Sequence, residues 1–511
     1  MPKKFISSQS HVQNLGIVPR RLPKLYFTNM KYRPSKSFIL IVLPLAALVI
    51  SLGFGLLPEL KEFEARPIPG EITFTHAKPQ VSQYATVSSQ KSASFGWSMD
   101  WLEESYENLM NWDYNSWKRK PGGFGDHFYK LSESKDPRDQ AKCRELRRLA
   151  EAWHQKLLLR FPELAVTLRN VPDDRNGFLK WLDFSDKMKV DGGNGQPDLD
   201  LPKELSDYMN QNGTWNSAAA KVWLDQHKPL LDEIRAIGLL PDRSVNGIPT
   251  ERWGYIPARF AKTCGDVLII EARLAAEQGD PAAALESVRA AKGLADHFSE
   301  VETPTLLAAT VHSLIQLNLA GRVLNDIIPA LPAGQVDPAA WENALNLTVP
   351  GPAEYARLMK GEWSAMNRHF LLPMLLDGEN PKNPPDGGEL LDYYSLFQLE
   401  TVRRHESATL SDLPALELPP MADASHLSRP SRQMVQDLTT GSSAWRRGWL
   451  HAHSVFAMTQ AAFAIMKGQP IPQEPIYGVD YRWDPATRQL SMPPGNDFEA
   501  MGIKPITVPK P

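Results

Sequence analysis

"ARFAKTCGDVLIIEARLAAEQGDPAAALESVRAAKGLADHF" (258–298) decides the fold class. In its first half Phe260, Cys264, Val267, Leu268, Leu274 and Ala275 fall on one helical face. In its second half Ala284, Val288, Ala291, Ala295 and Phe298 recur at i, i+4, i+7, i+11 and i+14. Gly279 stops the first helix. Asp280-Pro281 starts the second, an N-cap acceptor followed by the residue whose fixed φ and missing N–H suit the first helical position. The spacing predicts a tight antiparallel hairpin. The same start recurs at Thr303-Pro304 and Asp337-Pro338, so helices are expected there too.

Outward from the hairpin the chain continues to read as helix. Segments 100–117, 137–161 and about 216–238 have helical periodicity, and 303–328 is apolar nearly all round, which places it at the centre of the domain. A loop at 375–389 precedes a helix near 389–408, and the Pro/Ser-rich stretch 409–442 reads as a long loop. The last helix, 443–467, carries Trp445, Trp449, Ala452, Phe456, Thr459, Phe463 and Met466 on one stripe. Then the period changes: "VDYRWDPATRQLSMP" (479–493) reads as two short strands around an Asp-Pro turn. The expected fold is all-α, built of packed antiparallel hairpins, with a small C-terminal β-hairpin.

The N-terminal part is of another kind. From Ser37 to Pro58 no residue is charged, a run of 22 positions, and about 20 helical residues span the hydrocarbon core of a bilayer. A cleaved signal fits less well, because its apolar region is usually about 7–15 residues long and ends in small residues. A soluble core helix would carry polar residues at helical spacing. Residues 1–36 hold eight Lys or Arg and no acid, a charge of +8, and the whole chain is at −3. Positive flanks stay in the cytoplasm. The expectation is a cytoplasmic arm (1–36), a single span (37–57), a flexible linker (58–95), an extracytoplasmic helical domain (96–470) and a β-hairpin tail (471–511). The linker's 38 residues span about 35 Å as a coil. The net-acidic remainder lacks the basic stripe that a nucleic-acid partner requires.

Recognisable catalytic patterns fail one by one. "HESAT" (405–409) lacks the second His of a zinc-protease helix. No G-x-S-x-G elbow or phosphate loop occurs. "DGGNGQPDLD" (191–200) misses the EF-hand spacing and reads as a solvated turn. His451 and His453 point about 200° apart on one helix and cannot share a metal. His312, on the all-apolar helix, reads as a core imidazole satisfied by a carbonyl. Cys143 and Cys264, 121 positions apart, read as separate thiols or a single disulfide. No cofactor is expected.

The remaining candidate is "YARLMKGEWSAMNRHF" (355–370). Glu362 sits amid a stripe of Tyr355, Leu358, Met359, Met366 and His369. A carboxylate on an apolar face must find a partner or raise its pKa, and either outcome suits a general acid or base. Glu362, with His369 two turns on, is the candidate catalytic pair; the alternative is an ion pair between Glu362 and an Arg of another helix.

The 258–298 hairpin resembles a tetratricopeptide-type unit, with Gly-Asp at the turn and small residues at Ala272, Ala284 and Ala291. Leu268 stands where that repeat has Trp, and Glu271 departs from an apolar site; no 34-residue recurrence accompanies it. With "VPDDRNG" (171–177), "GDPAAALESVRAAKGLADH" (279–297), "LMKGEW" (358–363) and "YRWDPATRQLSMP" (481–493) in this order, the chain resembles uncharacterised single-pass membrane-anchored helical proteins of planctomycete and verrucomicrobial bacteria. The likeness runs from about residue 140 to the C-terminus. The ending resembles the β portion of secretion pseudopilins, although no short leader with a Glu precedes the anchor. The resemblance implies the bacterial inner membrane and carries over no catalytic residue. Three roles follow as expectations: an envelope scaffold with a protein partner, an envelope hydrolase using Glu362, or an accessory part of a secretion system.

Overall fold

The computed structural model describes Ile72 and residues 126–510, apart from short stretches at 190–196, 198, 211, 254–255, 348, 379–385, 417, 420–424 and 495–501. The basic arm, the 37–57 run, the linker apart from Ile72, which is buried, and the 100–117 segment lie outside the described residues. Among the described residues, no helix is long and apolar enough to cross a membrane.

The molecule is predominantly helical. In chain order the helices are α1 (Asp126–Glu133), α2 (Pro137–Arg160), α3 (Gly177–Lys187), α4 (Lys203–Met209), α5 (Ser217–Gln226), α6 (Lys228–Gly238), α7 (Thr250–Trp253), α8 (Ala258–Glu277) and α9 (Pro281–Ser299). They continue with α10 (Leu306–Arg322), α11 (Pro338–Leu345), α12 (Pro352–Met366), α13 (Leu372–Leu376), α14 (Gly387–Glu406) and α15 (Arg429–Met466).

The α8–α9 hairpin forms as its sequence dictates. Asp280 accepts from Ala283 N, and Gly279 turns the chain at φ +75°. Burial exceeds one stripe, however: every residue from Cys264 to Ile270 is buried, because α9, α10, α5 and α6 all pack on α8. Glu271 is explained by its neighbours. Arg235 of α6 donates Nε–H to it at 3.2 Å and Ser287 of α9 donates at 2.8 Å, so one carboxylate ties three helices.

Several boundaries differ from expectation for local reasons. The 216–238 helix breaks at His227, because Pro229 has no N–H and its ring crowds the carbonyl of Asp225. Helix α10 starts two residues late: Thr305, not Thr303, caps it by accepting from Ala308 N at 3.1 Å. Helix α15 begins at Arg429, so much of the expected 409–442 loop is helix. Both α10 and α12 end in a π turn, Val323–Ile327 and Asn367–Leu371, and each turn is followed at the second position by a proline, Pro329 and Pro373. A widened turn relieves the clash that proline makes with the carbonyl four residues back.

At the C-terminus β1 (Arg482–Asp484) pairs antiparallel with β2 (Gln489–Ser491), and β3 (Ile506–Thr507) adds a third strand to β2. Asp484 fixes the turn by accepting from Ala486 N at 2.9 Å and Thr487 Oγ1 at 2.7 Å.

Two cores hold the fold, and the chain interleaves them. The first runs from Phe178 to Leu347 and closes with α15 residues Ala452 to Met466 and with Leu490 and Val508 of the sheet region. The second joins α1 and α2 to residues from Tyr355 to Ile476, with Ile72 and with Ala309 of α10. Cys143 lies in the second core and Cys264 in the first, and they are not bridged.

Candidate functional site

The five residues Lys360–Ser364, "KGEWS", mark the place where α12 meets α2, α10 and α14. Lys360 pairs with Glu406 at the end of α14 at 2.9 Å. Gly361 lies against the backbone before α10: a Cβ there would stand 2.2 Å from Pro304 O and 2.7 Å from Thr303 C. That approach sets Glu362 over the N-terminus of α10, where its Oε2 accepts from Leu306 N at 2.8 Å. The helix start leaves such N–H groups without partners and favours negative charge. Trp363 is fully buried and donates Nε1–H to Ser395 Oγ of α14 at 2.9 Å, while its ring lies 5.0 Å from that of His154 on α2. Ser364 Oγ is 3.3 Å from His154 Nε2.

Glu362 therefore finds its partner in a backbone terminus rather than in an arginine. Burial pushes its carboxyl up to about 7, against the lowering effect of the Leu306 hydrogen bond. The phenol of Tyr394, raised chiefly by its own burial, is raised further by this carboxylate.

His369 lies in a different environment. It falls inside the π turn 367–371, where the straight-helix spacing that put it in line with Glu362 no longer holds. Its ring meets Trp253 edge-on at 5.7 Å, and its Nε2 is buried without a hydrogen-bond partner among the described residues. Burial, then Arg147 and Arg368, lower its pKa to about 3. Among the described residues Glu362 and His369 share no hydrogen-bond partner.

Three further histidines, His312, His451 and His453, sit in the packed interior. His312 Nδ1 stands 3.1 Å from the carbonyl of Ala295 and 2.8 Å from Ser299 Oγ, with Asp296 Oδ1 at 3.9 Å. This is not a nucleophile triad, since serine and acid address the same ring nitrogen. His451 and His453 are both buried, with neither ring nitrogen of either bonded. Among the described residues no group of His, Cys, Asp and Glu is placed to hold a metal ion.

A third buried group escaped sequence reasoning: Arg446 on α15, one turn from Trp449, whose ring meets Tyr355 at 5.4 Å, with His405 stacked on that tyrosine at 4.1 Å. The only signal was the spacing of Trp445 and Trp449, whose stripe Arg446 adjoins. No protein-family model, curated protein or solved structure matches this chain.

Proposed function

We propose that this chain is a membrane-tethered helical interaction protein of the bacterial envelope, displayed outside the cytoplasm on a single span at 37–57. The 22 uncharged positions behind a +8 arm support the location and orientation. The observation that carries a binding rather than a catalytic role is the engagement of Lys360–Ser364: the most chemistry-like stretch of the chain is spent on holding helices together. The outer surface supplies what a partner buries. Leu159 on α2 is 85% exposed, and Leu168, in the segment that follows, is 45% exposed.

The test is cross-linking in intact cells followed by purification and mass spectrometry, with Leu159→Asp alongside. The expected result is a constant set of envelope proteins that the variant loses. Recovery of the chain alone from both strains, or protection of the domain when protease is added to spheroplasts, would sink the reading.

A hydrolase using Glu362 is the second reading, favoured by the carboxyl held near neutrality. Glu362→Gln separates the two. The folded chain keeps a proton on Glu362 between its ordinary value of 4.5 and about 7, where the unfolded chain has lost it. This group's contribution therefore declines as pH rises through that window, by up to about 3 kcal/mol. Glutamine does not titrate, so the melting temperature of the variant should gain on the parent from pH 5 to pH 8, with partners unchanged. A folded variant that keeps the parent's pH dependence would contradict the burial of Glu362. Loss of a hydrolytic activity without loss of partners would favour the enzyme.

A further inference from the structure

Among the described residues Arg446 is a buried cation without an anion. It keeps 8% of its surface exposed. One guanidinium nitrogen, Nη2, donates to the carbonyl of Leu413, and the buried Nε–H meets no acceptor. Among the described residues the groups that favour its charge are the phenols of Tyr355 and Tyr477, with no carboxylate among them. Phenols are neutral at pH 7. A guanidinium stays protonated where a lysine would shed its proton, so it cannot escape the cost of burial by neutralising.

His405 presents a second unmet atom at the same place. Its ring stacks on Tyr355 with centroids 4.1 Å apart and planes at 24°, and that tyrosine also meets Trp449, one turn from Arg446 on α15, edge-on at 5.4 Å. His405 Nδ1 lies 2.7 Å from the carbonyl of Thr401. A carbonyl only accepts, so Nδ1 carries the proton and Nε2 is a bare acceptor. That Nε2 is buried, with no partner among the described residues. Two complementary demands thus converge around Tyr355: a cation that lacks an anion and an acceptor that lacks a donor.

We propose that Arg446 and His405 form a binding site for a small hydroxycarboxylate, its carboxylate paired with the guanidinium and its hydroxyl donating to His405 Nε2. A monoanion matches the single charge, since a phosphate dianion would leave a net negative charge buried. The planar guanidinium also suits the two oxygens of a carboxylate.

Thermal unfolding of the full-length chain in 50 mM glycolate, acetate or chloride at matched ionic strength tests this. Glycolate should raise the melting temperature by about 3–5 °C over chloride, and acetate by less. Arg446→Met, which removes the unpaired charge and keeps the stem, should melt at or above the parent in chloride and ignore glycolate. Equal melting in all three salts, or a glycolate response that survives in Arg446→Met, would overturn the site. Should that variant fail to fold, equilibrium dialysis of radiolabelled glycolate against the parent decides: one site per chain supports the assignment, and no binding at millimolar concentration refutes it.

Discussion

Lowering the pH from 7.5 to 5.5 is expected to unfold this protein. Seven histidines are held neutral, in each case chiefly by burial. His154 and His369 are lowered to about 3, His297, His312, His405 and His451 to about 4, and His453 falls well below its ordinary value. Unfolded, each would take a proton near 6.5. Below that value the unfolded chain binds protons that the folded chain refuses, so stability is fully present above 6.5 and is lost as pH falls toward the folded values. Each group gives up about 1.4 kcal/mol by pH 5.5, and seven together about 9 kcal/mol, against a usual total of about 5–15 kcal/mol. Glu362 runs the other way and returns about 2 kcal/mol over the same interval. Helical circular dichroism followed from pH 8 to pH 4 should fall in one steep transition with a midpoint near pH 5.5–6. Full helicity and an unchanged melting temperature at pH 5 would show that these rings are hydrated in solution.

The second large effect concerns a single hydrogen atom. Gly361→Ala places a methyl group 2.2 Å from Pro304 O and 2.7 Å from Thr303 C, and both are backbone atoms that no rotamer change can move aside. In an exposed helix interior, glycine to alanine gains about 1 kcal/mol. Here the methyl must push α12 away from the start of α10, which stretches the Glu362–Leu306 hydrogen bond and loosens Trp363 in its pocket. A net loss of about 2–4 kcal/mol is expected from overpacking and the lost cap. Chemical denaturation reads it directly. Because the intrinsic and packing effects have opposite sign, a stabilised variant would mean that the two helices do not touch at this point in solution.

Local features were legible in the sequence. The α8–α9 hairpin is specified by residues within a few positions of one another, and the Asp-Pro starts at 280 and 337 cap their helices as read. Thr303-Pro304 failed as a start because Gly361 presses on that segment from 57 residues away. The polar, Pro- and Ser-rich stretch from 429 has poor intrinsic helix propensity, and it continues as helix into the buried part of α15, since helix propagation is easier than nucleation. For the site, the sequence showed that Glu362 needed a partner. It did not show which, because a helix N-terminus is backbone and leaves no side-chain signature. His369 was misplaced by one π turn, which becomes readable only when Pro373 is taken as its cause.

The interleaving of the two cores sets an order in time. Helices α1 and α2 leave the ribosome with much of their apolar faces bare, and apart from Ile72, Leu306 and Ala309 the later residues that share their core begin at Val349 and Tyr355, roughly two hundred positions on. At usual elongation speeds that delay is roughly ten to forty seconds. The central helices from Phe178 onward can close on one another in the meantime. For that interval the first-made helical pair is a client waiting for its cover, and the surfaces of Trp153, Leu157 and Phe161 are what a holding chaperone would find.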